Sequence, residues 1–314
     1  MLHSKRPGGF SVDGILPLWK ERGLTSHDCV FKLRKILQTK KVGHTGTLDP
    51  AVEGVLPICI GQATRIAEYL TDSGKTYEAK VSIGRATTTE DAEGETVEED
   101  MSYKKFSREE ILNVLTQLTG KIEQIPPMYS AVKVKGKKLY EYARQGIEVE
   151  RPSRIVTIHE IELLDDDEVF EGEEVTFRIR VVCGKGTYIR TLAVQIGELL
   201  GLPSHMAELV RTASGSFTKE QCVTIREVEE KMAKGEIFDI LLPIEYALSD
   251  FPYIEIDETN KKQILNGQIL ELHSLLIGNE KIVFGIEGKA VAVYKEHPTK
   301  EGFMKPDKMF PNSM

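Results

Sequence analysis

The sequence predicts a mixed α and β protein, and three features of its residue pattern indicate this class. Apolar and polar residues alternate in KTYEAKVSIG (75–84) and EVTFRIRVV (174–182), as they do in half-buried strands. TSHDCVFKLRKIL (25–37) repeats its apolar residues every three to four positions, as an amphipathic helix does. Such segments alternate along 314 residues with no internal repeat, a length that fits a large domain with a small one.

The first predicted helix begins at Thr25 or Ser26, both of which are good N-cap residues. Its buried stripe is formed by Cys29, Val30, Leu33, Ile36 and Leu37. The strand at 174–182 has one apolar face, formed by Val175, Phe177, Ile179 and Val181. A glycine turn follows that strand, and we expect a helix with Tyr188 and Arg190 in its early turns.

Two further helices lie between these elements. SREEILNVLTQLTG (107–120) contains the capping box Ser107 and Glu110, and Gly120 is expected to close the helix. GKKLYEYARQG (136–146) predicts a shorter helix that ends at its final glycine.

The pattern changes after about residue 250. One short helix is predicted at 257–267, and short strands are predicted within 281–296. We therefore expect two domains, 1–250 and 251–314, with residues 1–12 as a disordered extension of the first.

The composition excludes several classes of protein. Apolar runs such as GVLPICIG (54–61) are shorter than the roughly 18 to 20 residues of a membrane helix, so no membrane association is expected. The basic first eleven residues are not followed by a signal-peptide core. Four cysteines lie far apart without a C-x-x-C pair, and seven histidines show no metal-ligand spacing. We expect a cytoplasmic protein without a metal site.

The net charge of −8 is unevenly distributed. Residues 121–154 carry eight Lys and Arg against four Asp and Glu, whereas 155–175 carry nine acidic residues and no Lys or Arg. A polyanion responds to the field of one face rather than to the total charge. The charges alone leave two interpretations open, a nucleic-acid-binding face and ordinary solvated surfaces.

DSGKT (72–76) is similar to the end of a nucleotide-binding P-loop, but Tyr69 occupies the position where that pattern requires a glycine. The residues after Lys75 also predict a strand, whereas a P-loop opens a helix. The sequence therefore disfavours a nucleotide hydrolase.

VGHTGTLDPAVEGVLPICIGQATR (42–65) surrounds the carboxylate of Asp49 with glycines and prolines. One interpretation is structural, with Asp49 as the N-cap of a short helix and Pro50 at its first position. Gly54 and Pro57 would end that helix after barely one turn. The other interpretation is a functional carboxylate on a loop whose glycines let a ligand approach the backbone.

Aromatic and basic residues interleave in several segments. They are His44, Tyr77, Tyr129, Tyr140 and Tyr188, with Lys133, Lys135, Lys137, Lys138, Arg151 and Arg154. Proteins stack bases on aromatic rings and hold phosphates with cations. Tyrosines in strands and helices, however, are more often core residues. Spacing alone leaves both interpretations open.

KVGHTGTLDPAVEGVLPICIGQATR closely resembles the catalytic motif of the TruB family, the bacterial tRNA pseudouridine-55 synthases. GKTYEAKVSIGRATTTEDAEG, PPMYSAVKVKGKKLYEYARQG, RVVCGKGTYIRTLAVQIGELLG and ELVRTASGSF resemble further blocks of that family, in the same order. The similarity runs from about residue 13 to the C-terminus. It implies an α+β pseudouridine synthase fold with a mainly antiparallel central sheet flanked by helices. It also implies a small strand-rich, PUA-like RNA-binding domain at 251–314.

The resemblance further implies an isomerase that converts uridine 55 in the T-loop of tRNA to pseudouridine after the base has left its stack. Its partner would be the T-arm of tRNA, and the enzyme is expected to act as a monomer. No metal or organic cofactor is expected, because the bond exchange involves neither net redox change nor hydrolysis. An RNA-folding protein with secondary turnover is the alternative, and the two activities can coexist in one protein.

By similarity, Asp49 is the essential catalytic carboxylate. It would attack the ribose C1′, deprotonate the sugar or add to uracil C6, and the motif leaves these routes open. Arg190 would pair with Asp49 and aim it, since a guanidinium offers planar, two-pronged contact and an opposite charge favours a charged carboxylate. Tyr77 is the third expected catalytic residue, which would stack on the target base and take part in proton transfer. The expected substrate-binding residues are His44, Leu209, Tyr188 and Lys133.

Two features depart from the family's pattern. The segment MLHSKRPGGFS precedes the usual start, which makes Val12 a candidate initiator. Glu53 stands where small or hydroxyl residues are usual, and nothing about this position indicates lost activity.

Overall fold

The computed structural model describes residues 12–257 and 259–310. The predicted disordered extension at 1–12 lies outside the described residues, apart from Val12. Across the described ranges, no helix is both long enough and apolar enough to cross a membrane. The fold combines a large central sheet, flanking helices and a second, C-terminal sheet, which confirms the predicted α+β class.

The strands are, in chain order, β1 (Gly14–Lys20), β2 (Val42–His44), β3 (Glu53–Ile60), β4 (Lys75–Ile83), β5 (Arg85–Thr87), β6 (Thr96–Glu99), β7 (Lys104–Ser107), β8 (Gly120–Gln124), β9 (Lys133–Val134), β10 (Lys137–Lys138), β11 (Arg154–Leu163), β12 (Val169–Gly172), β13 (Val175–Cys183), β14 (Ser204–Ser214), β15 (Phe217–Thr218), β16 (Tyr253–Glu255), β17 (Leu270–Glu271), β18 (Lys281–Ile286), β19 (Lys289–Glu296) and β20 (Phe303–Met309).

The α-helices are α1 (Ser26–Ile36), α2 (Ala67–Asp72), α3 (Arg108–Gln117), α4 (Leu139–Ala143), α5 (Ile189–Leu200), α6 (Ile225–Lys234) and α7 (Lys261–Leu265). Short 3-10 helices cover Gly61–Ile66, Lys219–Gln221, Ile237–Ile240, Ile244–Leu248 and Ser274–Leu276.

The central sheet has the order β1–β3–β14–β4–β13–β11–β8, with β2 paired to β3 and β15 paired to β14. Neighbouring strands are antiparallel, except that β3 and β14 are parallel. The predicted mainly antiparallel sheet is confirmed. The parallel contact is short and pairs Glu53 with Val210 and Gly54 with Arg211. The strand that follows the Asp49 loop therefore lies directly against β14.

The core lies between this sheet and the helices packed on it. Alternate residues of β13 are buried, as the alternation predicts, with Val175, Phe177, Ile179 and Val181 at most 2% exposed. Leu192 of α5 joins the same apolar cluster. Full burial of such a side chain contributes about 1.5 to 3 kcal/mol. The well-packed sheet therefore holds in place the loop that joins β2 and β3.

The predicted starts of the helices at 25–37 and 107–120 are confirmed, and each is fixed by a local capping box. The Asp28 N–H donates to the Thr25 hydroxyl at 3.0 Å at the start of α1. The Glu110 N–H donates to the Ser107 hydroxyl at 3.2 Å at the start of α3. Both caps use residues within one turn of each other, which is why the sequence predicts them well.

Two predicted helix ends are wrong. The second predicted helix ends at Gln117, and Gly120 instead begins β8 with a φ of +102°, a conformation that glycine adopts without penalty. The third predicted helix is shorter than expected, because α4 stops at Ala143. Its last residues form turns in which the Gly146 N–H donates to the Ala143 carbonyl at 3.0 Å.

The C-terminal residues form a second sheet with the order β16–β18–β19–β20–β17, which confirms a strand-rich C-terminal unit. Its apolar face shares a cluster with the first part of the chain. This cluster includes Ile15, Val55, Phe217, Val283, Val293 and Phe310. The Arg65 guanidinium also donates to the Met309 carbonyl at 2.9 Å, and the Tyr69 hydroxyl donates to the Asp307 carboxylate. Because this packing crosses residue 250, the division of the chain into 1–250 and 251–314 stays a prediction.

Candidate active site on the Asp49 loop

Asp49 lies on the loop between β2 and β3. The Val52 N–H donates to the main-chain carbonyl of Asp49 at 3.1 Å, which closes a turn with Pro50 in its second position. The described residues that follow Asp49 form a turn and then strand β3 rather than a helix. The structural interpretation of Asp49 as a helix N-cap is therefore wrong. The carboxylate is therefore free of a capping role, and its side chain is 43% exposed.

Two glycines near Asp49, one in the loop and one on β3, are explained by the protein's own backbone. Gly54 has a φ of +138°, and a Cβ there would lie 2.6 Å from the main-chain nitrogen of Arg211 on β14. Gly46 has a φ of +112°. Both positions require glycine whatever ligand approaches. At Gly43 a Cβ would meet nothing within 4 Å, so the protein's own packing does not require glycine there. The close approach of a ligand to Gly43 stays a prediction.

Arg190 holds the Asp49 carboxylate from the first turn of α5. Its Nη2 lies 3.1 Å from Oδ2 of Asp49, and its side chain is only 6% exposed. The same nitrogen donates to the Tyr129 carbonyl at 2.9 Å, and Nη1 donates to the Thr89 carbonyl at 3.1 Å. Nη1 also lies 3.6 Å from Oδ2 of Asp91. The guanidinium is thus fixed by several oxygens, whereas the carboxylate that it holds faces outward.

Asp91 is a site residue that is not predicted from the sequence. Its Oδ1 accepts from the Thr89 hydroxyl at 2.5 Å and from the Glu93 N–H at 3.0 Å. The neighbouring Glu90 has a φ of +63°, and burial raises the pKa of its carboxyl. The polar run TTTED at 87–91 was the available signal, because short polar side chains commonly close tight turns.

Asp49 and Asp91 line the same small pocket. Its other walls are formed by Arg22, Ala51, Val52, Ala92, Glu93, Met206, Ala207, Glu208 and Leu209. Leu209, an expected substrate-binding residue, is 9% exposed and lines this pocket, and its contact with a substrate stays a prediction. The pocket therefore combines two carboxylates on one arginine with an apolar wall.

Two further buried cations support the loop. The Lys20 ammonium, on β1, donates to the Leu24 carbonyl at 2.6 Å and to the Pro50 carbonyl at 3.4 Å. Burial lowers the pKa of Lys20, and the nearby Asp49 charge partly opposes this shift. Arg211 donates to the Val55 carbonyl at 2.7 Å. Neither cation is predicted from the sequence to lie at this site.

Tyr77 lies on β4, opposite Arg211 of β14. The side chain packs partly against the central core, and burial raises the pKa of its hydroxyl while the Arg211 charge opposes that shift. His44 ends β2, and its buried Nδ1 has no hydrogen-bond partner in the described part of the chain. Neither residue lines the pocket that contains Asp49 and Leu209.

Tyr188 and Lys133 lie on other elements. Tyr188 is the N-cap residue of α5 rather than part of its first turn, and its N–H donates to Oε1 of Gln124 at 3.0 Å. Lys133 lies on the short hairpin of β9 and β10 with its side chain exposed. Neither side chain lines the Asp49 pocket, so their predicted contacts with a substrate stay predictions.

Lys75 confirms that DSGKT is no P-loop, because it begins β4 rather than a helix. Its ammonium donates to the carbonyls of Thr71 at 2.7 Å and Ser73 at 2.5 Å, so it caps the end of α2.

Across residues 12–257 and 259–310, no group of three His, Cys, Asp or Glu side chains is placed to hold a metal ion.

Comparison with known proteins gives the family. Residues 34–189 match the family model described as TruB family pseudouridylate synthase (N terminal domain). Residues 190–249 match the model described as tRNA pseudouridylate synthase B C-terminal domain.

Similar proteins span nearly the whole chain. A Bacillus cereus protein named tRNA pseudouridine synthase B is 55% identical over 302 residues, which cover 96% of this chain and 98% of that protein. Its namesake from Listeria innocua is 56% identical over 300 residues, or 95% and 98% of the two chains. A chain in the crystal structure of a Cbf5-Nop10-Gar1 complex is 28% identical with a TM-score of 0.69, and the match covers 94% of this chain and 84% of that one. The chain therefore belongs to the TruB family of pseudouridine synthases.

Proposed function

We propose that this protein isomerises uridine 55 in the T-loop of tRNA to pseudouridine, with Asp49 as the catalytic carboxylate. The relatives that cover almost the whole chain are named tRNA pseudouridine synthase B, which supports tRNA as the substrate. In this reaction the C1′–N1 bond of the nucleotide breaks and a C1′–C5 bond forms. The proton of C5 leaves to solvent and N1 gains one, so the product has the same composition as the substrate.

The observation that carries the proposal is the ion pair between Asp49 and Arg190. The carboxylate is 43% exposed at a pocket, while its partner is 6% exposed and bound by main-chain oxygens. A guanidinium of this kind aims a carboxylate without covering it, because both of its terminal nitrogens are also held by main-chain carbonyls. A carboxylate placed in this way can reach the sugar of an extruded nucleotide.

The pocket explains how an extruded base would be received. Removing a uridine from its stack costs a few kcal/mol. Leu209 offers an apolar wall of the pocket, and Tyr77, which lies on the adjacent strand outside the pocket, is proposed to stack on the base. Both contacts offset the cost of unstacking. His44 and Tyr188 would complete the binding of the nucleotide.

The exposed β9–β10 hairpin is the proposed contact with phosphates of the T-arm. Lys133 and Lys137 are exposed, and the Lys137 ammonium lies 5.9 Å from the ring of Tyr142. The strand-rich residues 251–314 would act as a PUA-like domain on the same RNA. We propose that the protein works in the cytoplasm as a monomer and that the reaction uses no cofactor.

The test is release of tritium from unmodified tRNA labelled at uridine C5. Release by the wild-type protein, lost when uridine 55 is replaced by cytidine, is the expected result. Release that persists with the replaced tRNA would overturn uridine 55 as the target. Tight tRNA binding without any release would instead favour an RNA-folding protein.

A further inference from the structure

Arg211 is the largest fully buried side chain in the described part of the chain, with 1% of its surface exposed. It lies on β14, two residues after Leu209, with its guanidinium directed under the Asp49 loop. Arginine is rarely buried to this extent unless it is paired with a carboxylate. Its burial therefore needs a reason.

The guanidinium contacts the chain on both sides of Asp49. Nη2 donates to the Gly46 carbonyl at 3.2 Å, and Nη1 lies 3.5 Å from the Thr47 carbonyl, which it approaches as a weak donor. Nε donates to the Val55 carbonyl at 2.7 Å. One planar group thus connects the segment before the catalytic carboxylate with the strand that follows it.

The backbone of Arg211 is also fixed, through its close pairing with β3. Gly54 pairs with it in the parallel contact of β3 and β14, and a Cβ on Gly54 would lie 2.6 Å from the Arg211 nitrogen. The position of the guanidinium relative to the loop is therefore fixed by the sheet itself. A shift of β14 would move the loop with it.

Arg211 donates to main-chain carbonyls and lies close enough to the Tyr77 hydroxyl to hydrogen-bond to it, and no carboxylate of the described residues lies within ion-pair distance of it. A buried charge without such a partner is costly. Lys104 is a useful contrast, because that buried cation also binds three carbonyls but has Asp100 at 3.5 Å. Burying the Arg211 charge therefore costs free energy, and the packing of the sheet alone gives no reason for this cost.

The charge acts on the groups around the loop. It lowers the pKa of His44, in addition to the effect of burial, and it lowers the pKa of Lys75 in the same way. It also opposes the burial that raises the pKa of Tyr77. The charge of Arg211 therefore acts on three side chains around the Asp49 loop at once.

We propose that Arg211 is a positioning residue for the isomerisation, because its fork holds both sides of the Asp49 loop and fixes the carboxylate relative to Arg190 and Tyr77. This inference rests on the proposed function. It predicts that the planar fork is required as well as the positive charge.

The test compares Arg211→Lys, which keeps the charge without the fork, with Arg211→Met, which removes both. Turnover is measured as tritium release under single-turnover conditions, and tRNA affinity is measured separately. In the lysine variant we expect turnover to fall by about 100-fold, the effect of a misplacement of about 1 Å, with the tRNA Kd within about threefold. Lys104→Met is the matched control, and it is expected to keep turnover within about twofold.

A second readout separates positioning from loss of structure. NMR titration of His44 should give an unchanged pKa in Arg211→Lys, where the charge is retained, and a raised pKa in Arg211→Met. A lysine variant with turnover within about threefold of wild type would overturn the proposal. So would a lysine variant whose His44 pKa returns to its ordinary value, because the whole loop would then have opened. A wild-type protein that releases no tritium would overturn the proposed function itself.

Discussion

Replacement of Arg190 by lysine tests whether the ion pair with Asp49 does more than neutralise charge. The guanidinium lies 3.1 Å from the Asp49 carboxylate and also donates to the carbonyls of Tyr129 and Thr89. A lysine ammonium is a point charge without the planar fork, so it cannot satisfy these three oxygens together. We therefore expect the variant to keep its charge at the site and lose the geometry.

The magnitude follows from the bond that is lost. A hydrogen bond to a charged partner contributes about 1.5 to 3 kcal/mol. Loss of about 2 to 3 kcal/mol in the transition state slows the reaction by about 30- to 150-fold, since about 1.4 kcal/mol corresponds to a factor of ten. Affinity for tRNA should change little, because Arg190 is buried behind the carboxylate rather than exposed to the RNA.

The assay is single-turnover tritium release with enzyme in excess, together with a separate measurement of the tRNA Kd. Arg180→Lys is the matched control. Its guanidinium pairs with Glu160 and Glu162 on the surface, and such exposed pairs contribute at most about 1 kcal/mol. A rate for Arg190→Lys that matches that of the control would refute the reasoning.

Three further predictions concern a glycine of β3, the β9–β10 hairpin and the buried Lys75. Gly54→Ala should destabilise the protein by about 2 kcal/mol or more in urea unfolding, because of its φ of +138° and the adjacent strand, whereas Gly43→Ala should change little; equal effects would contradict this explanation. Lys133→Ala and Lys137→Ala should each reduce the slope of log K for tRNA against log salt by about 1, and unchanged slopes would remove the hairpin from the interface. Burial lowers the pKa of Lys75 to about 8 from 10.5, so the folded protein releases this proton first as pH rises. The unfolding free energy of wild type relative to Lys75→Met should therefore increase between pH 8 and 10.5, by up to about 3 kcal/mol, and a flat difference would show that the pKa is unshifted.

The elements that the sequence predicts well are those fixed by neighbouring residues. The capping boxes at Thr25 and Ser107 join side chains to backbone groups only three residues away. The alternation in β13 follows from the pleat of a single strand with one buried face. The pairing of Asp49 with Arg190, by contrast, came from the family resemblance, because it joins residues 141 positions apart and no local pattern encodes it.

The buried cations were not predictable from the residues alone. Lys and Arg are ordinarily exposed, so Lys20 and Arg211 within apolar strands would be expected to point outward. Arg211 instead reaches the Val55 carbonyl across 156 positions of sequence. Its burial depends on the parallel contact of β3 with β14, and that pairing is a property of the assembled sheet. The mistaken end of the second helix has a similar origin, because Gly120 is used to begin β8.

The central claim is that Asp49 performs chemistry and does not hold the RNA. The most direct measurement compares Asp49→Asn with wild type in tRNA binding and in tritium release from uridine C5. Asparagine preserves the size of the side chain and removes its charge, so we expect a tRNA Kd within a few-fold of wild type and no release above background. Release by the variant at a rate near that of wild type would show that another group performs the reaction. A large loss of binding in the variant would show that Asp49 acts in RNA recognition instead.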